Sequence, residues 1–204
     1  FIAEEGDGGI MLFQPARAGQ PIWWVIEPID GTTNYAHGLL SFTVSIAVVY
    51  KGRPIVGVIF EPATESMFTA AKDTDAQLNA SRITVSSEQI NQNAGFGIDS
   101  HLTDELAGPV NKIMRQTKFR NLGSAALQLA YVAKGSLIGS IETAVRLWDI
   151  AAGVIITENA GGIVTNLAGE KIFPVEPEKY TGRTYCVLAA NKKSYAQLLE
   201  IFKG

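Results

Sequence analysis

Two carboxylates stand three positions apart in the stretch WVIEPIDGTTNY, Trp24 to Tyr35, directly after an apolar run. Glu27 and Asp30 flank Pro28, whose ring fixes the backbone, so both acids and the Ile29 carbonyl can turn oxygens in one direction. An all-oxygen set suits a hard divalent cation such as Mg²⁺, and the chain has no His/Cys cluster that would favour zinc. Carboxylates gathered without a cation repel one another and raise their own pKa values, so a metal makes such a cluster tolerable. Directly after Asp30, Gly31 permits close backbone approach, and Thr32 and Thr33 offer hydroxyls and free N–H groups. That is a cradle for an anion such as phosphate. Carboxylate-held metal beside an anion cradle suggests phosphoryl transfer to water. Taken alone, DGTTN reads first as an Asx-type turn.

Further acids also stand at the edges of apolar elements, where loops converge and sites are built. Glu4 and Glu5 end an opening strand, and Glu142 ends a later one. Asp149 follows Trp148 at the start of a helix, where an N-cap is the competing reading. His37 and His101 have no neighbour resembling a base and its orienting partner, so both read as surface or pocket-rim residues. Cys186, in TYCVLAA, reads as a packed thiol on a strand. GDGG at 6–9 precedes no convincing helix and reads as a turn near the site.

The elements that must position these groups belong to an ordinary globular chain. Its 204 residues are 47% hydrophobic and 18% charged, which argues against disorder. A net charge of −3 with no Lys/Arg block gives no footprint for nucleic acid. A lone cysteine implies a reducing, cytoplasmic setting. The longest apolar stretch, LLSFTVSIAVVY, is too short to cross a membrane and rich in β-branched residues, so it reads as a buried strand. The chain opens inside a strand without an initiating methionine or leader, which suggests a truncated sequence.

Strands are expected over 22–26, 42–50, 54–60, 66–70, near 119, and over 137–142, 163–165 and 186–190. Helices are expected over 103–116, with Leu106, Val110, Ile113 and Met114 on one face, and over 123–135, 149–162 and 193–202. Strands dominate before residue 118 and alternate with helices after it. The pattern predicts one domain over 1–204, an α+β part over 1–117 packed on an α/β part over 118–204.

EPIDGTTNY resembles the first signature of the inositol monophosphatase family, and WDIAAGVIITENAGG resembles its second. FIAEE is similar to the family's upstream acidic element, and GSAAL to the start of its substrate-loop helix. The resemblance implies a layered αβαβα sandwich and a Mg²⁺-dependent, lithium-sensitive phosphatase of small phosphorylated polyols, commonly a homodimer. It places Glu4, Glu27, the Ile29 carbonyl, Asp30 and Asp149 on metal. Thr32, with Glu4, would activate the attacking water. Gly31 and Thr32 would hold phosphate, and Gly123, Ser124, Ala125 and Glu142 would line the substrate pocket, with Glu142 accepting from ring hydroxyls. Glu5 would support the loop. The implied substrate is inositol monophosphate, with fructose 1,6-bisphosphate or a nucleotide 3′-phosphate as alternatives, and a weakened, regulatory member as a third.

Two departures bear on that expectation. The family carries aspartate where this chain has Glu27, and the extra methylene moves the carboxylate by roughly an ångström. The family's N-terminal helical segment, which supplies a further acid near the water, has no counterpart in this chain.

Overall fold

The computed structural model describes residues 2–4, 12–13 and 21–203. Eight strands form the first sheet: β1 (Ile2–Ala3), β2 (Leu12–Phe13), β3 (Ile22–Asp30), β4 (Thr43–Tyr50), β5 (Arg53–Glu61), β6 (Ser66–Ala71), β7 (Gln77–Leu78) and β8 (Ser81–Arg82). They lie in the order β2-β1-β3-β4-β5-β6-β7-β8, and β1 runs parallel to β3. Alternate residues of β3 to β6 turn Trp23, Val25, Ala47, Val49, Ile59, Phe68 and Ala70 into the core. The opposite face leaves Ile22, Trp24 and Met67 exposed.

The second sheet holds β9 (Gly95–Ile98), β10 (Lys118–Arg120), β11 (Gly139–Val145), β12 (Ile163–Thr165) and β13 (Tyr185–Ala190), in the order β10-β9-β11-β13-β12. One helical turn, α1 (Thr32–Ala36), follows β3 directly. Helix α2 (Asp104–Met114) and the terminal α5 (Tyr195–Lys203) pack on the far side of the second sheet. Between the sheets lie α3 (Ala125–Ala133) and α4 (Leu147–Asn159). The continuous apolar runs of α3 and α4 follow from that position, because each meets protein on nearly every side. Full burial of Leu129, Ile150 or Ile156 stabilises the fold by about 1.5–3 kcal/mol each. The described helices and sheets thus stack as an α+β sandwich in the order sheet, helices, sheet, helices. No described helix is long and apolar enough to cross a membrane.

Several elements differ from the sequence reading. Strand β3 does not stop at 26 but runs on to Asp30 through a bulge, carrying both acids of the motif. Glu142 lies inside β11, not at its end. Helix α4 begins at Leu147, so Asp149 occupies its third position and Arg146 the N-cap. Met114 ends α2 with 37% of its surface exposed, outside the buried face made by Leu106, Val110 and Ile113. Pro109 lies within α2, which continues through it. The sheets change over between Arg82 and Gly95, upstream of residue 118, because the unanticipated β9 pairs with β10 and β11. Cys186 is half-buried on β13, and burial pushes its thiol up to about 11, as befits a packed side chain.

Candidate active site

The site begins where β3 breaks register. Pairing with β4 holds up to Glu27 opposite Ser45 and resumes with Asp30 opposite Thr43. Pro28 and Ile29 bulge between them, since proline has no N–H for the ladder. Glu27 is buried; its Oε1 accepts from Ile29 N at 3.1 Å, and its Oε2 accepts from no donor among the described residues. Glu4 arrives beside it because β1 pairs in parallel with β3 and Glu4 N donates to Ile26 O at 3.3 Å. The two carboxyls face each other, an arrangement that is a hydrogen bond only if they share a proton.

Asp30 is held from the opposite side. Its Oδ2 accepts from Ser124 Oγ at 2.5 Å and from Ala126 N at 2.7 Å. Ser124 is also the N-cap of α3, its Oγ accepting from Leu127 N at 3.1 Å. The carboxylate therefore sits at a helix N-terminus, where free N–H groups and the helix dipole favour negative charge. Gly31 and Gly123 both adopt left-handed backbone, with φ of 89° and 70°. A Cβ on Gly123 would lie 2.6 Å from Asn34 Nδ2. That nitrogen donates to Ser41 O at 2.6 Å and Leu122 O at 2.7 Å, stitching the two loops together.

The far wall comes from the second sheet and α4. Asp149 Oδ2 accepts from Arg146 N at 2.6 Å, closing the first turn of α4. Tyr180 supports that turn, its hydroxyl accepting from Leu147 N at 3.1 Å and its ring packing edge-on against Trp148. Buried Glu142 accepts from Gln128 Nε2 on both oxygens, at 2.8 and 2.9 Å. Asp99, just beyond β9, accepts on Oδ2 from Thr143 N at 2.9 Å. These groups enclose a cleft of about 460 Å³ lined by Asp30, Gly31, Thr32, Thr33, Asn34, Asp99, Ser100, His101, Asn121, Gly123, Ser124, Ala125, Gln128, Glu142 and Asp149, among others.

Charge crowding is written into the titration of these acids. Burial, then the shared contact with Glu4 and the charges of Glu4, Asp149 and Asp30, hold Glu27 far above the usual carboxylate range. Burial likewise pushes Asp30 up to about 6, against the opposing hydrogen bonds from Ser124 and Ala126. Asp149 rises to about 8 through burial and the charge of Asp30. Among the described residues no three His, Cys, Asp or Glu side chains already close on a single point as metal ligands. Each acid is instead tied by one oxygen to a backbone N–H, namely that of Ile29, Ala126 or Arg146.

Residues 1–203 match the model of the inositol monophosphatase family. The chain belongs to the inositol monophosphatase family. It is 37% identical to a protein named Nus factor SuhB from Pseudomonas aeruginosa over 197 residues, covering 93% of this chain and 71% of that protein. It is 38% identical to an inositol-1-monophosphatase from Mesorhizobium japonicum over 175 residues, covering 82% of this chain and 66% of the relative. Among solved structures, the inositol monophosphatase of Anabaena superposes with a TM-score of 0.81 at 31% identity, covering 98% of this chain and 77% of that one. The chain spans from 58% to 71% of the length of the curated relatives it matches.

Of the residues expected from the family motifs, Asp30, Gly31, Thr32, Gly123, Ser124, Ala125, Glu142 and Asp149 line the cleft together. Glu4 and Glu27 lie behind Asp30, close enough for their charges to be felt, but they do not line the cleft. Pro28 and Ile29 are free of the β4 ladder, as a carbonyl ligand at Ile29 requires. Ser124 is buried and engaged with Asp30, so it holds the site's frame as well as lining it. Glu5 and the turn at 6–9 lie outside the described residues. His37 is exposed, its Nδ1 2.8 Å from Thr33 O, and His101 lies on the cleft rim. Sequence reasoning missed Asn34, Asp99, Asn121 and Gln128. Asn34 stood inside the EPIDGTTNY stretch without a role assigned to it, and Asp99 carried a signal as an acid directly after the apolar FGI.

Proposed function

We propose that this chain hydrolyses a phosphate monoester of a small polyol, inositol monophosphate being the substrate its family suggests, with Mg²⁺ as cofactor. The observation that carries the reading is the convergence of Asp30, Asp149 and the Gly31–Thr32 turn on one cleft, with Glu4 and Glu27 directly behind. The donor set fits a hard cation: it is all oxygen, and the buried Glu27 Oε2 accepts from no donor among the described residues. Burial, then the charges of neighbouring acids, raises Glu27, Asp30 and Asp149, a cost that a bound cation would offset. Glu4, Glu27, the Ile29 carbonyl, Asp30 and Asp149 would hold the metal. When bound, Mg²⁺ supplies Lewis acidity, stabilising charge that develops on the phosphoryl and leaving oxygens.

The chain's own groups supply the rest. The N–H groups of Gly31 and Thr32 bind the phosphate oxygens at the start of α1, where no intrahelical acceptor claims them. Thr32 Oγ1, exposed at the cleft, orients the attacking water together with Glu4. Asp30 is held rigid by Ser124 and Ala126, so the loop that carries the cradle cannot drift from α3. Glu142, fixed by Gln128, meets the alcohol. The name Nus factor on several relatives raises a regulatory role, with Glu27 as the residue at issue. Folding of Glu27 Oε1 back onto Ile29 N favours the catalytic reading, because the longer side chain is accommodated within the bulge.

The test is Mg²⁺-dependent phosphate release from inositol monophosphate by the parent chain and by Asp30→Asn and Asp149→Asn. Loss in both variants is expected. Full activity in both would overturn the site, and no release by the parent would overturn the function.

A further inference from the structure

Half of the cleft is not used by the phosphate chemistry. It faces the second sheet, where β9 delivers Asp99 and β11 carries Glu142 and Thr143. Asp99 is fixed there from several directions. Oδ2 accepts from Thr143 N at 2.9 Å and from Thr143 Oγ1 at 2.8 Å, a hydroxyl that also reaches the His101 carbonyl. Oδ1 accepts from His101 N at 3.3 Å. The Asp99 side chain is 15% exposed. A carboxylate so placed can only accept hydrogen bonds, and its donors hold it in one orientation.

The charges around it all have one sign. Asp30, Asp99, Glu142 and Asp149 line the cleft, and among its described lining residues there is no Lys or Arg. Among the described lining residues, His101 alone has a side chain able to carry positive charge, its Nδ1 3.7 Å from Asp99 Oδ1. A hydroxyl-rich, uncharged alcohol suits such a wall, whereas a second phosphate would meet a fixed carboxylate without a cation to offset it. Titration agrees with the geometry. Burial raises Asp99, but hydrogen bonds from Thr143, His101 and Ser100 outweigh it and hold the group below its ordinary value. Burial, then the charge of Asp99, keeps neighbouring Glu142 well above its own ordinary value. The fixed Asp99 acceptor and the Glu142 carboxyl thus lie on one wall of the cleft, both placed to meet neighbouring hydroxyls.

We propose that Asp99 is the specificity-determining residue for the alcohol half of the substrate, accepting a hydroxyl hydrogen from an uncharged polyol and turning away alcohols that carry a second phosphate. The inference rests on the phosphatase reading above.

The experiment compares the parent chain with Asp99→Asn on inositol monophosphate, p-nitrophenyl phosphate, which has no alcohol hydroxyl, and fructose 1,6-bisphosphate, all with Mg²⁺. In Asp99→Asn the kcat/KM ratio of inositol monophosphate to p-nitrophenyl phosphate falls by about tenfold or more, carried mainly by KM. The ratio of bisphosphate to monophosphate rises in the same variant. Both ratios staying within about twofold of the parent overturns the assignment. Absence of Mg²⁺-dependent release from all three substrates by the parent marks failure of the phosphatase reading instead. Should Asp99→Asn not fold, Thr143→Val decides. It removes the hydroxyl donor that helps the backbone N–H groups aim Asp99, and must raise KM for inositol monophosphate more than for p-nitrophenyl phosphate. Equal effects on the two substrates would overturn the proposal.

Discussion

Asp30 and Ser124, 94 positions apart in the chain, are joined by a 2.5 Å hydrogen bond that ties the end of β3 to the start of α3. Ser124 Oγ caps α3 at the same time, so one hydroxyl serves both the site and the core helix. Substitution Ser124→Ala removes both interactions, and we expect a loss of about 1–3 kcal/mol in stability. Urea denaturation checks the first effect. Phosphate release at saturating Mg²⁺ checks the second, which should fall because Asp30 loses its anchor. Unchanged midpoint and turnover would show that the pairing is incidental.

Gly123→Ala tests the joint between the two loops. An added Cβ meets Asn34 Nδ2 at 2.6 Å and must adopt a φ of 70°. A cost of about 1–3 kcal/mol follows from strain, together with reduced activity as the phosphate-binding turn is pushed from its place. Asn34→Ala, which deletes the donor to Ser41 and Leu122 without that clash, should lower activity with a comparable loss of stability. Thermal melts paired with turnover separate the two; a normal melt and normal rate in Asn34→Ala would refute the stitching role.

Glu27 separates charge from length. Glu27→Gln keeps the shape and the contact with Ile29 N but removes the anion, so Mg²⁺-dependent turnover should fall by about 10²-fold or more. Glu27→Asp, the residue its family favours, should retain activity within about tenfold, since the bulge already leaves Pro28 and Ile29 free to adjust. Mg²⁺ titrations of both variants decide the matter. A Glu27→Asp variant as inactive as Glu27→Gln would mean that the bulge is set for the longer side chain.

The acids also predict a pH dependence. Glu27, Asp30 and Asp149 are all raised in the folded chain, the latter two to about 6 and about 8, against roughly 4 when unfolded. Between pH 4 and 8 the metal-free folded state therefore holds protons that the unfolded state releases, and stability falls as pH rises through that window. Asp99 works the other way, but its change lies below its ordinary value, at the acid end. Mg²⁺ competes with those protons for the same oxygens. Its stabilising shift in Tm should thus be larger near pH 8 than near pH 5.5, and a shift independent of pH would argue against carboxylate ligation.

The phosphate side of the site was legible because its residues are consecutive. Glu27 to Asn34 carry acids, a proline, a glycine and hydroxyls in one unbroken stretch, and local chemistry suffices to read them. The extent of β3 was not legible, since Glu27 and Pro28 look like the end of a strand although the bulge lets the strand continue. The alcohol side was hidden for a different reason. Strand β9 is Gly-Phe-Gly-Ile, and its glycines read as a loop; Gly97 is required because a Cβ there would come within 2.7 Å of Ser140 Cβ. Gln128 lies on a helix whose residues are otherwise apolar, and only the fold reveals that it meets Glu142. Asp149 was found but misplaced by part of a turn, because Leu147 and Trp148 look like an approach to the helix and are in fact its first residues.

Helix α4 is buried along most of its length, whereas α1 has no buried residue. The two helices hold opposite sides of the cleft, Asp149 near the start of one and Thr32 at the start of the other. Amide exchange in α4 must then wait for the sheets to part, while that in α1 requires only the fraying of a single turn. The cleft therefore has one wall sunk in the core and one laid on the surface, the second kept in place by the two hydrogen bonds of Asn34 and not by burial.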